Sequence, residues 1–331
     1  MQFCTLGSIL LGLGAISLTL PCLAKERFNV YGDFLYMQRS DEHNTAIVKD
    51  SHKPQRPCKC PDHTAIDTKD LVHDFDYEPG YRAGFTITPG SRNSIEGNFF
   101  YLQPWNADKR VHGHHGHHSL SFPFVDYDYS YDFTHAREAV AHYHSHLWGA
   151  ELNYWRNFTP RRVNYFALGG IIGLRYFHWD ELFKLKMIKH QDKSSYSIRT
   201  KNRVYGAQVG LDFQMNPTHW LSWELFGKVG LAGNDTKQKQ YMGDYNNSVT
   251  LRHSEREKWE MLFFSDVAAQ MDLHFLRYFT ARIGYQLIFC SGLSLAPDQI
   301  SKKVGSQAGK KDDTHGNAIV HGLFAGLVIG F

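Results

Sequence analysis

"AIVHGLFAGLVIGF" runs from Ala318 to Phe331 and closes the chain. Leu323, Ala325, Leu327, Ile329 and Phe331 take every second place, and Gly322 and Gly326 fall on the opposite parity. A period of two sends alternate side chains to opposite faces of a strand. The stretch reads as a β-strand that ends on an aromatic ring and carries one continuous apolar face. That face must meet either a second sheet or the hydrocarbon of a membrane.

The same alternation recurs upstream. It appears in "FNVYGDFLYMQ", where Phe28, Val30, Phe34 and Tyr36 share a face, in "GYRAGFTIT" and in "NSIEGNFFYLQ". It continues in "LWGAELNYW", "YFALGGIIGLRYF", "VYGAQVGLDF", "WLSWELFGKVGLAG", "LFFSDVAAQMDL" and "FTARIGYQLIF". With the closing stretch these make about ten candidate strands, and "SFPFVDYDYSYDF" would add a hairpin and make twelve. Connections alternate strictly between short turns such as "PGSR" and "HFLR" and long segments, roughly 39–79, 104–141, 179–202, 234–258 and 291–316.

A soluble sandwich has no reason to keep that parity. A transmembrane antiparallel up-and-down β-barrel does, with short periplasmic turns at one rim and long extracellular loops at the other. The expected fold is therefore all-β, a barrel in the bacterial outer membrane, and the terminal Phe331 reads as its insertion signal for the barrel-assembly machinery. The mean hydropathy is that of a polar chain because half of each strand and all of the loops face water. Trp105, Trp148, Trp155, Trp220, Trp223 and Trp259 lie near strand ends, where interfacial aromatic girdles are expected.

Residues 1–24 read as a secretory signal peptide ending at "CLA", which leaves 25–331 as the barrel. "TLPC" does not suit a lipoprotein. The 36 basic and 33 acidic residues are intermixed, giving +3 with histidine neutral. That excludes the concentrated basic face a nucleic-acid partner requires.

"VYGDFLYM", "GAELNYWRN", "GLRYFHWDEL", "LFGKVGLAGN" and "HGLFAGLVIGF" follow one another through most of the chain, and in these the protein resembles the pore-forming, major-outer-membrane-protein-like (MOMP-like) barrels of Gram-negative bacteria. The resemblance rests on strand ends and glycines. It implies a porin-like role and supplies no active-site residues.

Glu96, Glu151, Arg175, Asp212, Glu224, Lys228, Asp266, Asp272 and Arg282 fall on the face opposite the lipid set. A cation at the bilayer midplane costs roughly 2 to 4 kcal/mol, so alternation must aim these side chains into the lumen. There they either line a water-filled channel or pair and plug a narrow barrel.

"VHGHHGHHS" holds His112, His114, His115, His117 and His118, imidazoles suited to zinc, copper or nickel, although such tracts also bind metal adventitiously. His142, His144 and His146 at i, i+2, i+4 extend a strand or complete such a site. No resident cofactor is expected otherwise. Cys58 and Cys60 in "RPCKCP", with Cys290, are disulfide candidates in an oxidising compartment. "DYDYSYDF" alternates acid and aromatic and suits either a cation or a plain loop hairpin.

Neither GxSxG nor HExxH occurs, so no catalytic residue is nominated and the expectation is a non-enzyme. The leading functional expectation is passive diffusion of small hydrophilic solutes. The alternative is a non-conducting surface barrel whose loops act in adhesion or metal binding. Outer-membrane lipid is an expected partner, as are neighbouring copies, held as a homo-oligomer or by disulfide cross-links.

Overall fold

The structure is a computed structural model that describes residues 27–41, 44–50, 63–90, 92–113, 119–124, 133–159, 165–189, 191–244, 246–276, 278–302, 309 and 313–331. The expected signal peptide, Cys58, Cys60, His114, His115, His117, His118 and residues 126–132 of the DYDYSYDF segment lie outside the described residues.

Ten antiparallel strands close into a ring. In ring order they are β1 (Arg27–Ser40), β4 (Glu78–Thr88), β5 (Asn93–Leu102), β8 (Glu138–Asn157), β9 (Phe166–Lys189), β10 (Asp192–Met215), β11 (Leu221–Asp244), β12 (Val249–Leu276), β13 (Phe279–Leu293) and β14 (Gly316–Gly330). The last seam joins β14 to β1, with Asn29 opposite Gly330 and Ser40 opposite Ile319. Phe331 N donates to Phe28 O at 2.8 Å, and the two rings sit 6.1 Å apart. No helix among the described residues is long and apolar enough to cross a membrane, and the crossing is made by strands.

β6 (Trp105–His112) continues the pairing of β5 with β8 after a break at Gln103-Pro104. Proline has no N–H for the ladder, which explains the interruption. Among the described residues of the stretch from Ser121, 121–124 and 133, none joins the ring. β7 (Leu120–Ser121) pairs with β2 (Ala46–Asp50), which pairs with β3 (His63–Asp67), in a separate three-stranded sheet. Helix α1 (Thr68–His73) follows, its first turn capped by Asp67, whose carboxylate accepts from Asp70 N at 2.7 Å.

Two of the segments read from the sequence as long loops are strand. β9 and β10 pair up to Lys189 and Asp192, and β11 and β12 up to Asp244 and Val249. In the β11–β12 turn Asn246 and Asn247 take φ of 60° and 64°, the left-handed region asparagine tolerates best after glycine.

On β9 and β10 these extensions escape a hydrophobic-periodicity reading because polarity inverts along the strand, and on β11 and β12 because the upper inward positions, such as Thr236, Gln238, Gln240 and Arg252, are polar. On the lower part of β10, Val209, Leu211 and Phe213 point outward and are exposed, while Gln208 is buried inside. On its upper part Arg199, Lys201 and Arg203 point outward, and Ile198 and Val204 are buried inside. β9 switches likewise, from outward Ile172 and Leu174 to outward Lys184 and Lys186 over buried Leu185 and Met187. Apolar side chains face out where the solvent is lipid and in where it is water.

An aromatic girdle marks the change. Trp148, Tyr176, Tyr205 and Trp259 form a chain of ring contacts at 5.3, 5.0 and 6.4 Å. Trp220 and Trp223 are exposed near the opposite rim. Trp105 and Trp155 depart from the expected girdle. Trp105 is fully buried, its indole N–H donating to Met37 O at 3.1 Å, and Trp155 faces the lumen and donates to Glu96 Oε2 at 2.9 Å. Both fall on inward positions, so nearness to a strand end did not decide their face.

Candidate functional site: the lumen and its cap

β8, β9, β11 and β12 place Glu151, Arg175, Lys228 and Asp266 at one level of the lumen. Register makes Glu151 the direct neighbour of Arg175, and Lys228 of Asp266. The pairs then link across the interior. Arg175 Nη1 donates to Asp266 Oδ2 at 2.9 Å and Nη2 approaches Glu151 Oε1 at 3.5 Å. Lys228 Nζ lies 2.7 Å from Glu151 Oε2 and 3.2 Å from Asp266 Oδ2. Gln208 and Asn153 also donate to Glu151, at 3.0 and 3.1 Å, and Gln286 to Asp266 at 2.8 Å.

Two acids and two bases thus neutralise one another in a layer whose side chains are at most 5% exposed. Burying such charges is tolerable only with this degree of pairing and hydrogen bonding. The layer is roofed by aromatic rings. Phe100, Phe177 and Phe264 are buried above it, with the Arg175 guanidinium 5.4 Å from the Phe264 ring centre. A Cβ on Gly206 or Gly230 would collide with Phe264, so glycine is what lets that ring lie against the wall.

Toward the short-turn rim the lumen opens into a polar cavity of about 480 Å³, lined among others by Arg82, Arg92, Glu96, Asp212, Glu224 and Arg282. Here Asp33 holds two cations. Arg82 Nε donates to it at 2.6 Å, and Arg282 binds it through Nε and Nη2, both at 2.6 Å. Tyr31 donates to Glu96 at 2.5 Å, and Gln270 bridges Glu224 at 2.8 Å and Asp272 at 3.4 Å.

The nine inward residues singled out from the sequence therefore all project into the lumen, and the structure divides them. Glu151, Arg175, Lys228 and Asp266 form the buried layer, and the other five lie toward the short-turn rim. Asp33 and Arg82 were missed, although the same parity marks them, each lying between outward neighbours on its strand.

Above the aromatic roof the cap closes the extracellular mouth. Ile47, Val48, Ile66, Leu71, Phe75, Phe122 and Phe133 are buried there in one core with Tyr143, Trp179 and Phe183 of the upper wall. Arg39, fully buried at the top of β1, lies within 5.5 Å of the ring centres of Phe75, Tyr143 and Trp179. Its Nη1 pairs with Glu181 at 2.8 Å. Burial alone would lower its pKa, but Glu181 and Tyr143 outweigh that and hold it above the usual arginine range. Glu181 also accepts from Ala296 N at 2.7 Å and Tyr143 Oη at 3.0 Å, which ties the segment after β13 to the same pin.

The histidine ladder sits on the outer wall of β8. His142 contacts Asp108 at 2.6 Å and His144 contacts Asn106 at 2.8 Å, so these two are strand neighbours of β6. Burial lowers the pKa of His144, with the neighbouring His142 adding to the effect. His112 ends β6, 3.8 Å from Glu138. Among the described residues no group of three or more metal-ligating side chains converges. Cys290 is buried inside the upper part of β13, opposite Phe264 and Ala318.

A ring of ten antiparallel strands with an apolar outer belt, an aromatic girdle and a charged interior defines an outer-membrane β-barrel. The chain belongs to the family described as "Putative beta barrel porin-7 (BBP7)", whose match spans residues 33–318. A search of curated proteins gave no match. Among solved structures it is similar to the outer membrane protease OmpT of Escherichia coli, at 9% identity and a TM-score of 0.48, over 92% of this chain and 97% of that one. It is also similar to a FadL homologue of Pseudomonas aeruginosa, at 8% identity and 0.28, over 93% and 90% of the two chains. The outer membrane channel DcaP of Acinetobacter baumannii matches at 8% and 0.23, over 93% and 96%. Likenesses this distant carry no argument about activity.

Proposed function

We propose that this porin-family barrel is closed at rest and serves as a membrane anchor for its extracellular wall and cap, which act at the cell surface in adhesion or, through the His112–His118 tract, in metal capture. The observation that carries the reading is the neutralised layer of Glu151, Arg175, Lys228 and Asp266 under its aromatic roof. A solute crossing there must break four ion contacts and displace buried rings. The reading gives the barrel no catalytic role.

Passive diffusion of small hydrophilic solutes is the second reading, favoured by the porin family and by the polar cavity at the short-turn end. The likeness to MOMP-like pores belongs with it. Conduction would then require the ionic layer to part, and the charged residues around it would set selectivity. Planar-bilayer recording of the refolded protein decides between the two. The expected result is electrical silence, whereas current steps of stable size would replace the anchor with the pore.

A further inference from the structure

The outer wall carries an arrangement that neither reading uses. Upward from the girdle ring of Tyr205, the outward positions of β10 are Arg203, Lys201 and Arg199. At ~3.3 Å per residue they stand about 7, 13 and 20 Å along the strand beyond that ring. Lys184 and Lys186 of β9 face the same way, across from Ser197 and Ser195. Among the described residues of β9 and β10 the acid on this outer face is Asp180, which stands directly opposite Lys201 and lies 3.1 Å from His178. Arg203 meets Asp235 of β11 at a loose 3.8 Å and stays half exposed. With five cations, Arg199, Lys201, Arg203, Lys184 and Lys186, against the two acids Asp180 and Asp235, the wall directly above the lipid belt carries a cationic excess.

Directly beneath, the lipid-facing wall has an apolar notch of about 700 Å³. Ala207 and Gly233 keep its floor low, and Leu174, Tyr205, Leu231 and Met261 stand around it. Tyr205 belongs to the rim of the notch and lies two residues from Arg203, so the apolar and cationic surfaces are continuous.

A free anion has no use for the notch, and an uncharged lipid has none for the cations. The geometry points to a binding site for a phosphate-bearing, acylated glycolipid of the outer leaflet, with an acyl chain in the notch and a phosphate against Arg199, Lys201 and Arg203. The site rests on the upper strand extensions facing outside the cell, and it holds whether or not the lumen conducts. Basic side chains beside a bilayer surface gain roughly fivefold in affinity for anionic headgroups per residue.

The test titrates the refolded full chain in detergent micelles with an acylated, bisphosphorylated diglucosamine lipid, using phosphatidylcholine and inorganic phosphate as comparison probes. The glycolipid is expected to bind in preference to both, and more weakly in high salt. Replacing the three cations together, R199Q/K201Q/R203Q, is expected to weaken it about a hundredfold. Ala207→Trp, which fills the notch, should weaken the glycolipid and leave the response to inorganic phosphate unchanged. If the triple variant does not refold, Lys201→Gln alone is expected to show the fivefold loss. Equal glycolipid affinity for wild type and cation variant overturns the site. So does inorganic phosphate that binds as tightly as the glycolipid, or phosphatidylcholine that binds as well. Because the readout is lipid affinity, its failure is distinct from any result of the conductance experiment.

Discussion

Arg39 shows how much one side chain can hold. It joins the end of β1 to Glu181 of β9, packs between Phe75 of the cap and Tyr143 and Trp179 of the wall, and through Glu181 reaches Ala296. Arg39→Met keeps most of the volume but strands the Glu181 carboxylate in the core. Removing one partner of a buried pair costs about 3–5 kcal/mol. The cap is therefore expected to open in this variant, seen as faster proteolysis within residues 41–75 while the barrel strands stay protected. Cleavage at the wild-type rate would show that the pin contributes nothing. Neither residue could be singled out from the sequence. Arg39 stands at a strand end, and Glu181 fell in a segment read as loop. By contrast Glu151, Arg175, Lys228 and Asp266 were legible as inward charges because each interrupts an apolar alternation. Their mutual pairing was not legible, since it depends on register across four strands.

Among the elements, β9 and β10 are the instructive ones, because each carries two opposite rules. Below the girdle apolar residues face out, and above it they face in, so a search for one amphipathic sense finds only the lower half. The upper halves still alternate strictly, as "FKLKMIK" does from Phe183 to Lys189, but the buried and exposed sets have exchanged sides. The lower rule makes a direct prediction. Ile172 is 58% exposed on the outer face of β9, whereas Gln270 projects inward on β12 beside Glu224 and Asp272. Ile172→Arg places a cation in lipid at a cost of roughly 2 to 4 kcal/mol near the midplane, whereas Gln270→Arg places one among carboxylates. Insertion into lipid vesicles, followed by the gel shift of the folded form, is expected to fall sharply for the first and little for the second. Comparable losses would mean that the assignment of the two faces is wrong.

At the scale of the whole molecule, strand number and the orientation of the ring were readable from ten alternating stretches and the parity of their connections, while the filling of the interior was not. Closure of the mouth depends on Ile47, Ile66, Leu71 and Phe133 folding back onto wall residues far away in sequence, a tertiary event with no local period. The seam between β14 and β1 has a different consequence. Asn29 through Ser40 pair with Gly330 through Ile319 as any hairpin would, and Phe331 N already reaches Phe28 O. A short linker from Phe331 to Phe28 would turn the first and last strands into an ordinary turn, and new ends could be cut at 216–220 between β10 and β11. Such a circular permutant is expected to refold in micelles with the same thermal midpoint, since no strand pairing is lost. In cells it should reach the outer membrane poorly, because no strand would any longer finish on the free aromatic end. Efficient export of the permutant would mean that the address lies in the body of the barrel. Unimpaired refolding with poor export would instead make the stability of this cylinder and the label that delivers it separable properties written into one strand.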